Sequence, residues 1–363
     1  MARSPISPGV YNTVDPARLE ATLDPARYTS RSHAFDEIIA AAERHYWNPE
    51  DQRYIDYSPP LDLLERPLLP AAFTPEILSA VGDRFTGSRR VEFANELARF
   101  QLSQLLHGEQ GGVAALANLC LIFEDAGSQE YASTQLREET RHVRALTRYF
   151  AARWGAPVTC GTAVSALMTE LALTPEIYRK IVGMQIMLEG MALGAYSTIQ
   201  AATPDPVLAR LLQLILTDEA YHHKFGKIWG LETVPHLNEE QHRKVESWAA
   251  GCFLTLIRNL FEGEQKRQIY ERFGLDLPWV AAALRESFNG GPAARAVAES
   301  NRMFRVLVKT LLDTGIVTSR TRPIYRNWFD LDKLAAESSD HEDLAERTTA
   351  ELADINRQGH RKY

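Results

Sequence analysis

Cysteine is scarce in this 363-residue chain: three residues, Cys120, Cys160 and Cys252, lie far apart and are odd in number. That excludes a disulfide framework, a zinc pattern and an iron–sulfur cysteine set, and it points to a reducing compartment. Positive charge is in deficit too, with 40 Lys and Arg against 47 Asp and Glu and a formal net charge of -7. No cationic excess is there to hold a polyanion, so nucleic acid is not an expected partner. No run approaches the roughly 18 apolar residues of a membrane span, and the opening stretch MARSPISPGVYNTVDP lacks the apolar core of a signal peptide. The expectation is a cytoplasmic chain that does not enter a membrane. A Gly-x-Gly-x-x-Gly dinucleotide loop is absent as well, so any electrons the protein uses must come from elsewhere.

What is present is enough apolar sequence, 45% of residues, to bury a sizeable core. Residues 1 to 32 are rich in Pro, Ser, Asp and Arg and read as an arm lying on the surface. A short helix is expected at about 33 to 46, followed by an aromatic loop from Tyr46-Trp47-Asn48-Pro49 to Ile55-Asp56-Tyr57-Ser58-Pro59-Pro60. Thr74-Pro75 reads as a helix start. From about Arg89 the apolar period becomes helical and long. The first long helix should end near Glu124 to Gly127. A second, capped by Ser128, runs to Trp154 and stops at Gly155-Ala156-Pro157. A third opens at Thr174-Pro175 and closes at Thr203-Pro204, and a fourth opens at Asp205-Pro206 and continues to about Gly230. Asn238 and Gln241 form a capping box for a fifth. Further helices are expected near 292 to 313 and 330 to 347, and no strand. The chain divides into an N-terminal arm with short helices (1–88), a helical bundle (89–230) and C-terminal helices packed on it (231–363), together one large all-α domain.

Four of these helices carry ionisable residues inside apolar sequence, where a charge is costly unless something pairs with it. They are Glu109, then Glu139 with His142, then Glu189, then Glu219 with His222. Glu-x-x-His occurs twice, and a three-residue step puts both side chains on one helical face. With a glutamate from each of the other two helices, this is the inward-projecting ligand pattern of a di-iron or di-manganese carboxylate bundle. Spacing supplies an independent test. Glu109 and Glu139 are 30 residues apart, and so are Glu189 and Glu219. The midpoints fall near Glu124 and Pro204, where the sequence separately signals breaks. At a rise of about 1.5 Å per residue, equal runs down and back return the chain to one height.

Carboxylates can bridge two metals, neutralise their charge and support the higher oxidation states reached when O₂ is reduced, while two imidazoles add a nitrogen to each metal. Glu109, Glu139, Glu189 and Glu219 are therefore the candidate catalytic carboxylates, and His142 and His222 complete the metal-ligand set. Asp218 is placed to accept the outer N–H of His142; by the pseudo-symmetry Glu138 either does the same for His222 or is a solvated charge, and Arg141 offsets Asp218. His107 and His223 are turned away from this face. Met184, Met187 and Met191 read as core filler. Gly108, Gly111, Gly112, Gly190 and Gly194 either open space beside the ligands, permit a helix bulge or allow close helix packing.

The set Glu109, Glu139-x-x-His142, Glu189 and Asp218-Glu219-x-x-His222 resembles the ferritin-like superfamily, and within it the ribonucleotide-reductase-like group of O₂-activating di-iron proteins, over about residues 89 to 230. That resemblance implies a ferritin-like four-helix bundle with two iron ions, Mn or a mixed Mn/Fe pair being the alternative. It also implies a small organic substrate and O₂, and an external reductase or ferredoxin; a homodimer is left open. The position of the radical tyrosine in reductase subunits is Leu146 here, which disfavours a radical-generating oxidase. The threonine usual in hydrocarbon monooxygenases is Leu193. The para-aminobenzoate N-oxygenase group is similar in length and in the Trp47-Asn48-Pro49 to Ile55-Asp56 segment, but its additional histidine ligand is Ile215 here, so six ligands are expected. Hydroxylation, epoxidation (as in acyl-thioester epoxidases) and N-oxygenation remain open, with ferritin-like metal storage and di-iron desaturation as alternatives.

Overall fold

A computed structural model describes residues 11–15, 19–260, 263–288, 292–300, 302–337 and 341–360. The expectations for residues 1–10 and 16–18 of the arm lie outside this set. Every element among the described residues is helical, and the lone β-bridge joins Thr13 to Phe123. No helix there is long and apolar enough to cross a membrane.

Helix α1 (Asp36–Arg44) precedes the aromatic loop, and the long helices follow: α2 (Gly87–Ile122) and α3 (Ala126–Arg153), joined by a three-residue link. The cap of α3 is Asp125 rather than Ser128. Asp125 Oδ2 accepts from the Ser128 backbone N–H at 2.7 Å and from the Ser128 hydroxyl at 3.0 Å, so the serine sits inside the first turn. At the other end Gly155 takes φ 81, the left-handed conformation that terminates a helix most easily with glycine. Helix α4 (Thr162–Leu173) was not expected. Its sequence, TAVSALMTELAL, is apolar on nearly every side, so it carries no amphipathic period to read.

The third long element, α5, starts at Ile177 rather than at Pro175, and it is not uniform. It runs as α-helix Ile177–Ile181, widens into a π-helical segment Val182–Leu188, and returns to α-helix over Glu189–Ala202. Helix α6 (Pro206–Thr233) follows, with Asp205 Oδ1 capping the Val207 N–H at 3.0 Å. Before α7 (Glu239–Leu260) the capping box forms in both directions: Asn238 N–H donates to Gln241 Oε1 at 2.9 Å and Gln241 N–H to Asn238 Oδ1 at 3.0 Å. The region expected as one helix at 292 to 313 is described as two, Pro292–Ser300 and α8 (Arg302–Asp313). The one at 330 to 347 is likewise Leu331–Ala336 and α9 (His341–His360).

Helix α2 packs along α3 and α5 along α6, and the two pairs meet through α3 and α6. Helix α8 lies against α5, and α9 against α6. The arm is not wholly superficial: Tyr11 and Val14 are buried, the Val14 N–H donates to Ile122 O at 2.7 Å, and Tyr11 stacks on Trp229. The core falls into two apolar clusters. Along the four central helices, Leu106, Leu146, Leu193 and Leu216 belong to one cluster, and Ala115, Ala132, Met187 and Phe225 to the other. The layer between them is where the glutamates lie.

Candidate metal centre

Each of the four central helices contributes a side chain to this layer. Glu109 comes from α2, Glu139 and His142 from α3, Glu189 from the first residue after the π segment of α5, and Glu219 and His222 from α6. All six are buried, from 0% to 6% exposed, far below what unpaired carboxylates tolerate. They form two overlapping groups, Glu109–Glu139–His142–Glu219 and Glu139–Glu189–Glu219–His222, in each of which one ligand atom per residue lies within 4.8 Å of the others. Glu139 and Glu219 are common to both. Two such groups joined by two shared carboxylates can hold two cations with those carboxylates between them.

The imidazoles are oriented alike. His142 turns Nδ1 inward, 3.2 Å from Glu109 Oε2, 3.5 Å from Glu139 Oε2 and 3.3 Å from Glu219 Oε1. His222 turns Nδ1 inward as well, 3.2 Å from Glu139 Oε1 and 3.4 Å from Glu219 Oε2. The outer nitrogens face carboxylates of the opposite helix pair: His142 Nε2 is 2.8 Å from Asp218 Oδ2, and His222 Nε2 is 2.9 Å from Glu138 Oε2. An outer N–H donated to a carboxylate leaves the inner nitrogen with a free lone pair, which is the tautomer a metal requires. Arg141 donates to Asp218 Oδ2 at 2.8 Å, so that carboxylate stays charged.

The buried side chains perturb one another's titration. Burial, with Glu139 beside it, pushes the Glu109 carboxyl well above its usual range, and burial with Glu219 beside it does the same to Glu189. Burial also opposes the charge on Glu139, but hydrogen bonds from Glu109 and the two histidines overcome it and hold that group well below the usual value. For Glu219, burial is outweighed by the charge of His222. Both histidines are raised well above their ordinary value despite burial, His142 by Asp218 and the cluster glutamates, His222 by Glu219. Four buried carboxylates face only two imidazoles, and these directions are what an excess of negative charge away from water produces. Glu219 Oε2 and His222 Nδ1 are buried and make no hydrogen bond of acceptable geometry, although they face each other at ion-pair distance. Four carboxylates, two inward nitrogens and orphaned inward atoms fit two divalent cations, whose four charges would match the four glutamates.

Several contributors were not singled out from sequence. Gln135 Nε2 donates to Glu189 Oε1 at 2.7 Å; it lies four residues before Glu139, on the same helical face, so the period held the signal. Tyr196, two turns beyond Glu189, donates its hydroxyl to Glu109 Oε1. Trp47 Nε1 donates to Asp218 Oδ2 at 2.9 Å, and His45 Nε2 lies 3.2 Å from Asp218 Oδ1 and 3.3 Å from Glu138 Oε1. Only the tertiary fold brings these last two in, because the loop after α1 has no period linking it to α3 or α6. His107 and His223 point elsewhere, to Val158 O at 2.8 Å and to the Thr310 hydroxyl at 2.7 Å.

A partly open cavity of about 90 Å³ adjoins Glu109, Glu139, Glu189 and Glu219. Met184 and Met187 both belong to the core, as their reading as filler expects, and Met191 packs against it; Met184 and Met191 also line the cavity. The glycines divide between roles. A Cβ at Gly108 would meet nothing within 4 Å, while one at Gly194 would come within 2.4 Å of Arg302 O on α8. The first opens space and the second permits close helix packing. No protein-family model and no curated protein matches the chain.

Proposed function

We propose that this chain is a ferritin-like, non-haem di-metal oxygenase that uses O₂ to hydroxylate, epoxidise or N-oxygenate a small organic molecule. The observation that carries the proposal is the pair of buried donor groups sharing Glu139 and Glu219, with an apolar cavity on one side. Glu109, Glu139, His142, Glu189, Glu219 and His222 are the proposed ligands, with the four glutamates as the catalytic carboxylates. Two irons, or manganese in one or both positions, would supply the redox chemistry that activates O₂. The chain's own part is to hold the donors at fixed geometry, to keep the outer nitrogens protonated through Asp218 and Glu138, and to exclude water with the two apolar clusters. Reducing equivalents come from a separate reductase or ferredoxin.

The cavity favours an enzyme over metal storage, since storage needs no apolar pocket against the carboxylates. The test is anaerobic titration of the metal-free protein with Fe(II), then exposure to O₂. The expected result is two equivalents bound per chain, O₂ consumption and a change in the visible spectrum. A single equivalent bound, or two bound without O₂ uptake, would sink the proposal; a parallel titration with Mn(II) addresses metal identity.

A further inference from the structure

A second cavity, of about 110 Å³, continues the first away from the carboxylates. The two share Gln104, Leu105, Val164, Met191, Leu256 and Met303, so they adjoin as one channel between α2, α4, α5, α7 and α8. Its inner half is apolar up to the glutamates. Gly108 keeps that half open, and α4 supplies a wall with Val164, Leu167 and Met168. The outer half is still mostly apolar, with Phe73, Phe100, Leu260 and Phe304, but it adds the amides of Gln101, Asn259 and Gln265, and Lys266; Gln265 Nε2 donates to Asn259 Oδ1, which leaves the Asn259 amino group and the Gln265 carbonyl oxygen to meet a head group. Lys266 is the one cation among the described residues lining either cavity, and it is already spent. Its Nζ donates to Glu76 Oε1, with both side chains almost fully buried, and the Tyr270 hydroxyl donates to the same oxygen at 2.6 Å.

From this gradient we infer that the channel takes an elongated molecule with an unbranched apolar chain lying toward the glutamates and a neutral, hydrogen-bonding head held by the amides of Gln101, Asn259 and Gln265. An anionic head is disfavoured because it would find no unmatched positive charge, while an amide or hydroxyl can both donate to and accept from carboxamides. This deepens the proposed function and rests on it only for which end of the molecule reacts. Binding itself does not need the metals.

Calorimetric titration of the metal-free chain with 1-hexanol, 1-octanol, octanamide and octanoate tests the assignment. Each buried methylene should tighten binding about fourfold, so octanol should bind about 15-fold more tightly than hexanol. Octanamide should bind about tenfold more tightly than octanoate at pH 8. Gly108→Leu starts from a Cβ that meets nothing within 4 Å and improves helix propensity, so it should fold, fill part of the inner half and lose octanol binding. Asn259→Leu should weaken octanamide about tenfold and leave octanol less affected. Equal affinity for hexanol and octanol, octanoate binding as tightly as octanamide, or an unchanged Kd in Gly108→Leu would each overturn the assignment. Metal stoichiometry measured on the same preparations separates the two readings. Chain-length-dependent binding without metal uptake defeats the oxygenase alone, and metal uptake without it defeats the channel alone.

Discussion

Asp218 illustrates how much one carboxylate does here. It accepts from His142, Arg141 and Trp47 on a single oxygen, Oδ2, with His45 beside the other. Burial opposes its charge, but Arg141 and the histidines hold it well below the usual carboxylate range. Asp218→Asn keeps the size but removes the negative charge and replaces one acceptor oxygen by an NH2 donor, which weakens the contact that fixes the tautomer of His142. It should lower Fe(II) affinity by about 10- to 100-fold while the chain remains folded, as read by metal titration alongside circular dichroism. Unchanged affinity would mean that His142 is not oriented through this contact. The Glu138 side of the pair is similar, with its carboxyl held at about 2: burial and Asp218 push it up, and hydrogen bonds from His222 and His45 outweigh them. Both residues were legible from sequence because each immediately precedes a candidate ligand glutamate on its helix.

At the scale of the element, the π segment Val182–Leu188 is the least regular part of the central helices, and it delivers Glu189. The added width is accommodated by Gly226 on α6, where a Cβ would lie 1.7 Å from Gln185 O. That contact is to backbone, so it cannot be relieved by turning a side chain. Gly226→Ala should therefore cost about 1 to 3 kcal/mol in denaturant unfolding, against the gain expected from alanine in a helix. It should also displace the π turn, seen as a weakened second Fe(II) equivalent. An unchanged midpoint would show that α5 and α6 can separate at no cost. Sequence placed the ends of α5 and α6 through Thr203-Pro204 and Asp205-Pro206, since proline and an aspartate cap act locally. It could not place the π turn, which depends on α6 presenting a glycine at that height.

The whole molecule sets charge repulsion in one thin layer against the two apolar clusters on either side of it. In the metal-free protein this gives a pH dependence of definite sign. Glu109 and Glu189 titrate above their unfolded values, so the native state holds protons that the unfolded state has released, and stability falls as pH rises above the ordinary carboxylate range. His142 and His222 are also raised; their contribution is complete below the unfolded histidine value and is lost as pH climbs through the folded one. The lowered carboxylates, Glu139, Glu219, Glu138 and Asp218, contribute only above the unfolded carboxylate range and lose that contribution in acid. Above about pH 6.5, the unfolded histidine value, the Tm of the metal-free chain should fall. A bound divalent metal at 100 times its Kd should restore about 2.7 kcal/mol per site and flatten the curve. Thermal scans with and without Mn(II) check this, and a flat metal-free profile would contradict the titration behaviour described.

Taken alone, the sequence determined that the chain is helical, where its long helices break, and that Glu109, Glu139, His142, Glu189, Glu219 and His222 could share one height. Caps, prolines and the 3.6-residue period are local, and equal intervals between breaks turn local information into a level. Tertiary structure alone decided what surrounds that level. The loop after α1 brings His45 and Trp47 onto Asp218, and α4, α7 and α8 enclose the cavity. These are contacts between segments remote in sequence, fixed by which apolar faces pack together, and no spacing along the chain encodes them.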